Sequence, residues 1–191
     1  PLPHFPFTRD DRGCDHHGTS LHQWLPAPIG TGSLNVRKDK QTKLWPLMAS
    51  AESQDDNIRK YEEIGTHPAA NHNAISAAIA FHRGIGSERK IARLRYLRDR
   101  WAKRVQKESA RVKILTMLDS PYSGGIGLVH VDGMEPGKLV SWLMDKHRIV
   151  TTPIGHAEFD GLRITPNVYT TVDEVDLFAE KLLEGVKKGI A

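Results

Sequence analysis

The chain has 191 residues, of which 39% are hydrophobic and 26% are charged, and its formal net charge is +4 at pH 7. This length can bury a core in one or two domains, and the composition is typical of a globular protein rather than a disordered one. The sequence has no apolar run long enough to cross a bilayer, and its first residues lack the plan of a signal peptide, so we expect neither a membrane protein nor a secreted one.

The first predicted strand follows a glycine-rich turn and occupies residues 29–37, and a charged segment with helical character continues to residue 44. An alanine-rich helix is predicted over residues 68–83, and Gly84 and Gly86 are expected to end it.

A long basic helix is predicted from Ser87, which is expected to cap it, to residue 111. Apolar residues recur along it at intervals of three and four and predict one buried face: Ile91, Leu94, Leu97, Trp101 and Val105. Four basic residues fall largely on its other sides: Arg93, Arg95, Arg100 and Lys103. We interpret them as a solvated basic face, because no nucleic-acid-binding motif accompanies them.

The remaining elements predict a small α/β unit. Strands are predicted at 111–118 and 126–133, a helix at 136–146, and two further strands at 147–154 and 161–169. Thr171 and Glu174 have the spacing of a capping box at the start of a last helix. The buried face of that helix is predicted from four apolar residues: Val175, Phe178, Leu182 and Val186.

Few residues form a spacing pattern that by itself indicates a catalytic or metal-binding site. The cluster of His16, His17 and His22 has no carboxylate or thiolate at a spacing that would complete a known metal site, so no metal is predicted. The single cysteine, Cys14, cannot form an internal disulfide, which indicates a reducing compartment and a cytoplasmic location. Gln23 lies between a histidine and a tryptophan, where no packing role explains it.

The order of three segments carries more information than any one of them. They are "HFPFTRDDRGCDHHGTSLHQWLPAPIGTGSLNVRKDKQTKLWPLM", "YEEIGTHPAANHNAISAAIAFHRGIGSERKIAR" and "GLRITPNVYTTVDEVDLFAEKL". Together they resemble the class V aminotransferase family, the cysteine-desulfurase-like branch of the fold type I pyridoxal-phosphate enzymes, and isopenicillin-N-epimerase-like members most of all. The resemblance implies an α/β fold that corresponds to the C-terminal half of a typical member. Residues 1–52 would be the trailing part of the large cofactor-binding domain, and residues 53–191 the small C-terminal domain.

The resemblance also implies roles for particular residues. Ser20 and His22 match positions that surround the phosphate of pyridoxal 5'-phosphate, and Gln23 stands where the family has its Schiff-base lysine. A glutamine amide can replace that lysine neither as a nucleophile nor as a base. Thr66 matches the residue that reaches the phosphate of a neighbouring subunit's cofactor, which implies a homodimer. Arg163 matches the arginine that binds the substrate carboxylate.

Two functions remain open from these residues. One is a portion of a pyridoxal-phosphate protein that acts on an amino acid, of epimerase or aminotransferase type, and that is inactive as it stands because of Gln23 and the absent upstream half. A desulfurase is the weakest variant, because Cys14 is misplaced for the catalytic cysteine. The alternative is a non-catalytic remnant that dimerises or binds a partner and takes up no cofactor. Taken by themselves, Thr66 is an ordinary residue at a helix start and Arg163 an ordinary strand arginine. We also expect four apolar side chains of the first fifty residues to be exposed: Leu25, Ile29, Leu34 and Trp45.

Overall fold

A computed structural model describes residues 13–190 of the chain. The chain divides after Ser87 into two compact units, which we call the N-terminal unit and the C-terminal unit. The boundary after residue 52 was implied by the family resemblance and refers to the two domains of a full-length family member. It stays a prediction. The match of "HFPF" to the family pattern lies outside the described residues. In residues 13–190, no helix is both long and apolar enough to span a membrane.

The described residues of the N-terminal unit form two strands, three short 3-10 helices and one α-helix. The strands β1 (His16–Ser20) and β2 (Gly32–Val36) form an antiparallel pair, in which Ser20 lies opposite Gly32. The 3-10 helices are Lys38–Lys43, Glu52–Gln54 and Ile58–Tyr61, and the α-helix α1 is Ala69–Ile85. The prediction for β2 is confirmed. β1 was not predicted, because "HHGTS" lacks the branched and aromatic residues that mark strands.

Among the described residues of the N-terminal unit, one cluster of buried apolar side chains consists of Leu21, Leu25, Ala27 and Ala78, with Ile75 packed against them. Three of the apolar residues expected at the surface are indeed exposed, namely Ile29, Leu34 and Trp45, and the exposed fraction of Trp45 is 88%. The expectation for Leu25 is wrong, because this side chain turns inward beneath the turn that links β1 to β2.

The C-terminal unit contains the helix α2 (Ser87–Glu108), which begins at the last residue before the division, and two further helices, α3 (Pro136–His147) and α4 (Val172–Lys188). Its four strands are β3 (Val112–Ile114), β4 (Gly127–Val131), β5 (Thr152–Gly155) and β6 (Asp160–Ile164). They form one sheet in the order β3-β4-β6-β5, and every neighbouring pair is antiparallel. Burial alternates strictly along β4, so one face of the sheet lies on the core.

The core of the C-terminal unit joins that sheet face to the predicted stripes of α2 and α4. All five stripe residues of α2 and all four of α4 are buried. Both capping-box bonds of α4 form, since the Thr171 side chain accepts from the Glu174 N–H and the Glu174 carboxylate accepts from the Thr171 N–H. These predictions are confirmed, and they follow directly from the period of the helix.

Two expectations for this unit need correction. The run 111–118 forms only the short strand β3, because at Thr116 the side-chain hydroxyl, and not the backbone carbonyl, accepts the Leu128 N–H. The basic face of α2 is also not simply solvated. Arg95 donates to the carbonyls of Ser123 and Pro121, and the fully buried Arg98 donates to those of Gly124 and Leu118. These arginines therefore hold the loop between β3 and β4.

Candidate functional site

The candidate site residues of the N-terminal unit begin at the end of β1. Ser20 is the last residue of this strand, and the chain then turns so that Leu21 is buried while Ser20, His22 and Gln23 are exposed. The turn is held by the Thr31 carbonyl, which accepts a hydrogen bond from the Leu21 N–H at 3.0 Å. The turn thus presents a hydroxyl, an imidazole and an amide on consecutive outward positions.

The hydrogen bond of His22 decides what its ring can offer. Nδ1 lies 3.0 Å from the Thr31 carbonyl oxygen, and because a carbonyl only accepts, Nδ1 carries the proton. The neutral ring then presents an unprotonated Nε2. His22 can donate to a phosphate oxygen only when the ring is doubly protonated, which refines the role that the family resemblance implies.

Gln23 and Ser20 offer side chains that no described residue engages. Neither the Gln23 amide nor the Ser20 hydroxyl makes a hydrogen bond to another side chain or to the backbone of residues 13–190, and both residues are exposed. The Ser20 hydroxyl is therefore available to an anion. The Gln23 amide can both donate and accept hydrogen bonds, but it cannot form a covalent bond to an aldehyde as an amine does.

Thr66 lies in the loop before α1. It follows Gly65, whose φ of 74° is in the left-handed region that glycine adopts without strain. Gly65 borders a cavity of about 800 Å³ that is also lined by Gly32, the residue opposite Ser20 on β2. The loop that carries Thr66 and the strand pair that ends at Ser20 therefore border the same cavity.

A buried ammonium group anchors this loop. Lys60 is 1% exposed, and its Nζ donates to the carbonyls of Gln41 and Asp55 at 2.6 and 2.8 Å. The hydroxyl of Tyr61 lies within hydrogen-bond distance of the Gln41 and Leu44 carbonyls. These bonds tie the segment before Gly65 to the 3-10 helix Lys38–Lys43. Nothing in the spacing of the sequence indicated a buried lysine here.

Arg163 lies in the C-terminal unit on β6. Its neighbours Leu162 and Ile164 are buried, whereas Arg163 is exposed and pairs across the sheet with Leu128 and Thr152. No described residue accepts a hydrogen bond from its guanidinium group, whereas Arg98, Arg100 and Arg104 of α2 are all bonded to carboxylates. The guanidinium of Arg163 is free to bind a carboxylate from solution, in the two-point geometry that suits this pair.

A row of ionisable side chains, which the spacing of the sequence did not predict, lies on the same sheet face as Arg163. The two ring nitrogens of His130 face the carboxylates of Asp160 and Asp132, and Lys113 donates to Asp132 at 2.7 Å. The hydrogen bond from Lys113 is the main cause that lowers the pKa of Asp132. The strict alternation of "GLVHV" places His130 on the outward face of a strand, and this signal could have identified it.

Within residues 13–190, no group of three or more histidine, cysteine or acidic residues is arranged to hold a metal ion. Cys14 is half-buried and forms no disulfide.

Comparison with known protein families shows to which family the chain belongs. The sequence model described as "Aminotransferase class-V" matches residues 1–178. The chain belongs to the class-V aminotransferase family. The resemblance found in the sequence is thereby confirmed.

Two curated relatives show how this class-V chain is placed among known sequences. It is 29% identical over 178 residues to a probable hercynylcysteine sulfoxide lyase of Mycobacterium tuberculosis, covering 90% of this chain and 45% of the lyase. It is 27% identical over 190 residues to the isopenicillin N epimerase of Amycolatopsis lactamdurans, covering 90% of this chain and 47% of the epimerase. The chain thus spans about half the length of the curated relatives that it matches.

Solved structures confirm the fold of the class-V chain. The cysteine desulfurase of Thermococcus onnurineus superposes with a TM-score of 0.83 at 21% identity, over 97% of this chain and 50% of the desulfurase. A variant of the cystine C–S lyase C-DES, solved with glycine covalently linked to its pyridoxal-phosphate cofactor, superposes with a TM-score of 0.77 at 17% identity, over 95% and 49% of the two chains. The mixed α/β structure is therefore part of a fold type I domain, as predicted, and the cofactor expected from the sequence is the cofactor of the family.

Proposed function

We propose that this class-V chain is the C-terminal half of a pyridoxal-phosphate protein that acts on an amino acid, of epimerase or aminotransferase type. The observation that supports the proposal is the turn after β1, where Ser20, His22 and Gln23 are exposed at the positions that the resemblance assigns to the cofactor site. When bound, the cofactor would supply an electron sink for bonds at the substrate α-carbon.

The residues present fit the phosphate end of the cofactor. Ser20 has an exposed hydroxyl that no described residue engages, and so does Thr66, which would reach the phosphate bound by the other subunit of a dimer. His22 would join them through Nε2, because its Nδ1 is engaged by the Thr31 carbonyl. Arg163 would bind the substrate carboxylate with its free guanidinium group.

The residue present at position 23 does not fit covalent attachment. A glutamine amide has no basic lone pair, so it can neither hold the cofactor covalently nor move the proton at the substrate α-carbon. We therefore propose that the chain is catalytically inactive as it stands and that any binding of the cofactor is noncovalent.

Equilibrium dialysis of the chain against pyridoxal phosphate tests the phosphate end. We expect saturable binding that Thr66→Val weakens roughly tenfold, because a hydrogen bond to a charged group is lost. Thr42→Val, at an exposed threonine of the 3-10 helix Lys38–Lys43, is the matched control and should leave the affinity unchanged. Equal affinities of wild type and Thr66→Val would contradict the role of Thr66.

A gain of covalent attachment tests position 23. We expect the lysine of Gln23→Lys to form an imine with the aldehyde of pyridoxal phosphate, which borohydride reduces to a stable covalent bond. Mass spectrometry should then show the added mass on the peptide that contains position 23. The control is Gln106→Lys, on the exposed side of α2. If both variants are labelled equally, position 23 has no special relation to the cofactor.

The second candidate function is a remnant that dimerises or binds a partner without the cofactor. It is favoured by the exposed apolar side chains of the N-terminal unit, among them Ile29, Trp45 and Leu47. A homodimer fits both functions, and sedimentation of the chain measures it. Stoichiometric uptake of pyridoxal phosphate in the dialysis would exclude this second function. The cytoplasmic location predicted from the single cysteine stays a prediction.

A further inference from the structure

The hairpin that joins β5 to β6 ends in two stacked rings. Four residue pairs connect the strands, from Thr152 opposite Arg163 to Gly155 opposite Asp160. The pairing continues into the tip, where the His156 N–H donates to the Phe159 carbonyl at 2.9 Å. The rings of His156 and Phe159 stack at 4.7 Å between centroids, with an angle of 22° between their planes.

The register places these rings on the same face of the hairpin as Arg163. Residues paired across antiparallel strands share a face, and successive pairs alternate between the two faces. The pair Thr152 and Arg163 is therefore followed on its face by Ile154 with Gly161, and then by His156 with Phe159. The intervening position Leu162 is buried on the opposite, core face. At about 3.3 Å per residue, the four steps along the strand from Phe159 to Arg163 separate the Cα atoms of these two residues by roughly 13 Å.

Between the two ends, the hairpin strands themselves place no charged side chain on this face. Gly161 contributes no side chain, and Ile154 contributes a half-buried aliphatic one. Beside Gly161, both ring nitrogens of His130 already face carboxylates, those of Asp160 and Asp132. The face of the hairpin thus has a guanidinium group at one end, an apolar track in the middle and two aromatic rings at the other end.

A backbone hydrogen bond orients one of the stacked rings. The Glu158 N–H donates to His156 Nδ1 at 3.2 Å. An imidazole stacked on a phenyl ring offers an extended flat surface, and a further flat ring can add to such a surface by offset or edge contacts.

We infer that His156 and Phe159 determine substrate specificity, and that they select an amino acid whose extended side chain ends in a flat ring. The inference rests on the proposed function, in which Arg163 binds the carboxylate of the amino acid. With the carboxylate on Arg163, a side chain that follows the track past Gly161 and Ile154 brings its terminal group to the stacked rings.

Titrations of the isotope-labelled chain with two amino acids test the inference. S-benzyl-L-cysteine and S-methyl-L-cysteine have the same head group and differ in the terminal ring. We expect the benzyl compound to bind roughly fivefold more tightly, the worth of one aromatic contact, and to shift the amide signals of residues 156–159. Both compounds should shift the signals next to Arg163.

Variants at Phe159 test whether the stacked rings cause the preference for the benzyl compound. Phe159→Ala and the less disruptive Phe159→Leu should bring the ratio of the two affinities to about one, with the affinity for the methyl compound unchanged. Tyr122→Ala removes another exposed aromatic residue of the same unit and should keep the ratio. A ratio near one in the wild type, or a ratio that survives both Phe159 variants, overturns the inference.

Arg163→Met separates this inference from the proposed function. If it weakens both compounds equally while the Phe159 variants have no effect, Arg163 binds the carboxylate and the rings do not select the side chain. If it changes neither affinity, or if neither compound binds the wild type, the proposed role of Arg163 fails, and the inference fails with it.

Discussion

Trp101 and Trp45 show how differently the two units of the chain are stabilised. Trp101 is fully buried in the C-terminal unit and packs edge-on against Phe178 with 5.4 Å between ring centroids, whereas Trp45 in the N-terminal unit is 88% exposed. The C-terminal unit has one large core that joins three helices to a four-stranded sheet, while the N-terminal unit buries few apolar side chains. The N-terminal unit depends more on side chains that bind backbone carbonyls, such as Lys60. Apolar burial is the main stabilising contribution to folding, so we expect the C-terminal unit to be the more stable one.

The largest expected effect contrasts the two tryptophans directly. Trp101→Ala leaves a large cavity in the core and should lower the free energy of unfolding of the C-terminal unit by about 3–5 kcal/mol. Trp45→Ala should change stability by less than about 0.5 kcal/mol, because the side chain has little contact to lose. Urea unfolding followed by circular dichroism measures both. Similar losses for the two variants would mean that the units do not differ in this way.

The next effect concerns the anchor of the N-terminal unit. Lys60→Met keeps much of the side-chain volume but removes the ammonium group that donates to the Gln41 and Asp55 carbonyls, at an expected cost of about 1–3 kcal/mol in total. Amide hydrogen exchange should become faster in residues 41–61 and stay unchanged in the C-terminal unit. Lys43→Met, at an exposed lysine of the same segment, should alter neither.

A smaller effect tests how α4 begins. Thr171→Ala removes the side chain that accepts from the Glu174 N–H and should destabilise the C-terminal unit by about 1 kcal/mol. Thr165→Ala, at an exposed position beyond β6, is the control. If the two variants lower the urea midpoint equally, the capping box contributes nothing of its own.

The smallest effect depends on pH. Hydrogen bonds from Lys188 and Lys181 lower the pKa of Glu184 from its ordinary value of 4.5 to about 2. A carboxyl group with a lowered pKa stabilises the folded state above about pH 4.5, and this contribution is lost as the pH falls towards 2. Glu184→Gln should therefore be slightly less stable than the wild type near neutral pH and equally stable at the acid end. Urea midpoints across that range measure the difference, and Glu88→Gln should follow the wild type at every pH. A Glu184→Gln difference that persists at low pH would rule out this cause.

Parts of the fold with a regular apolar period could be predicted from the sequence, and parts held by individual polar contacts could not. The stripes of α2 and α4 and the capping box at Thr171 were predictable because each follows from helical spacing. Arg98 lies four residues after Leu94 and three before Trp101, so helical spacing places it on the buried face of α2. Its burial was not predicted, because a charged side chain is normally exposed. The buried Lys60 had no periodic signal at all, because its partners are backbone carbonyls distant in sequence.

The candidate site shows the same division. Ser20, His22, Gln23, Thr66 and Arg163 were found through the family pattern, and their roles stay predictions. The bond from His22 Nδ1 to the Thr31 carbonyl could not have been foreseen, because it depends on the turn between β1 and β2. The stacking of His156 on Phe159 depends in the same way on the register of one hairpin.

Gly161 has a further consequence for the variation that this protein can tolerate. Its φ is 151°, and a Cβ atom built there would lie 2.4 Å from the Val129 carbonyl oxygen. Every other amino acid has that atom, so any missense change of this codon would force β6 away from β4 and move Arg163 with it. The position should therefore be nearly immutable wherever this strand arrangement persists.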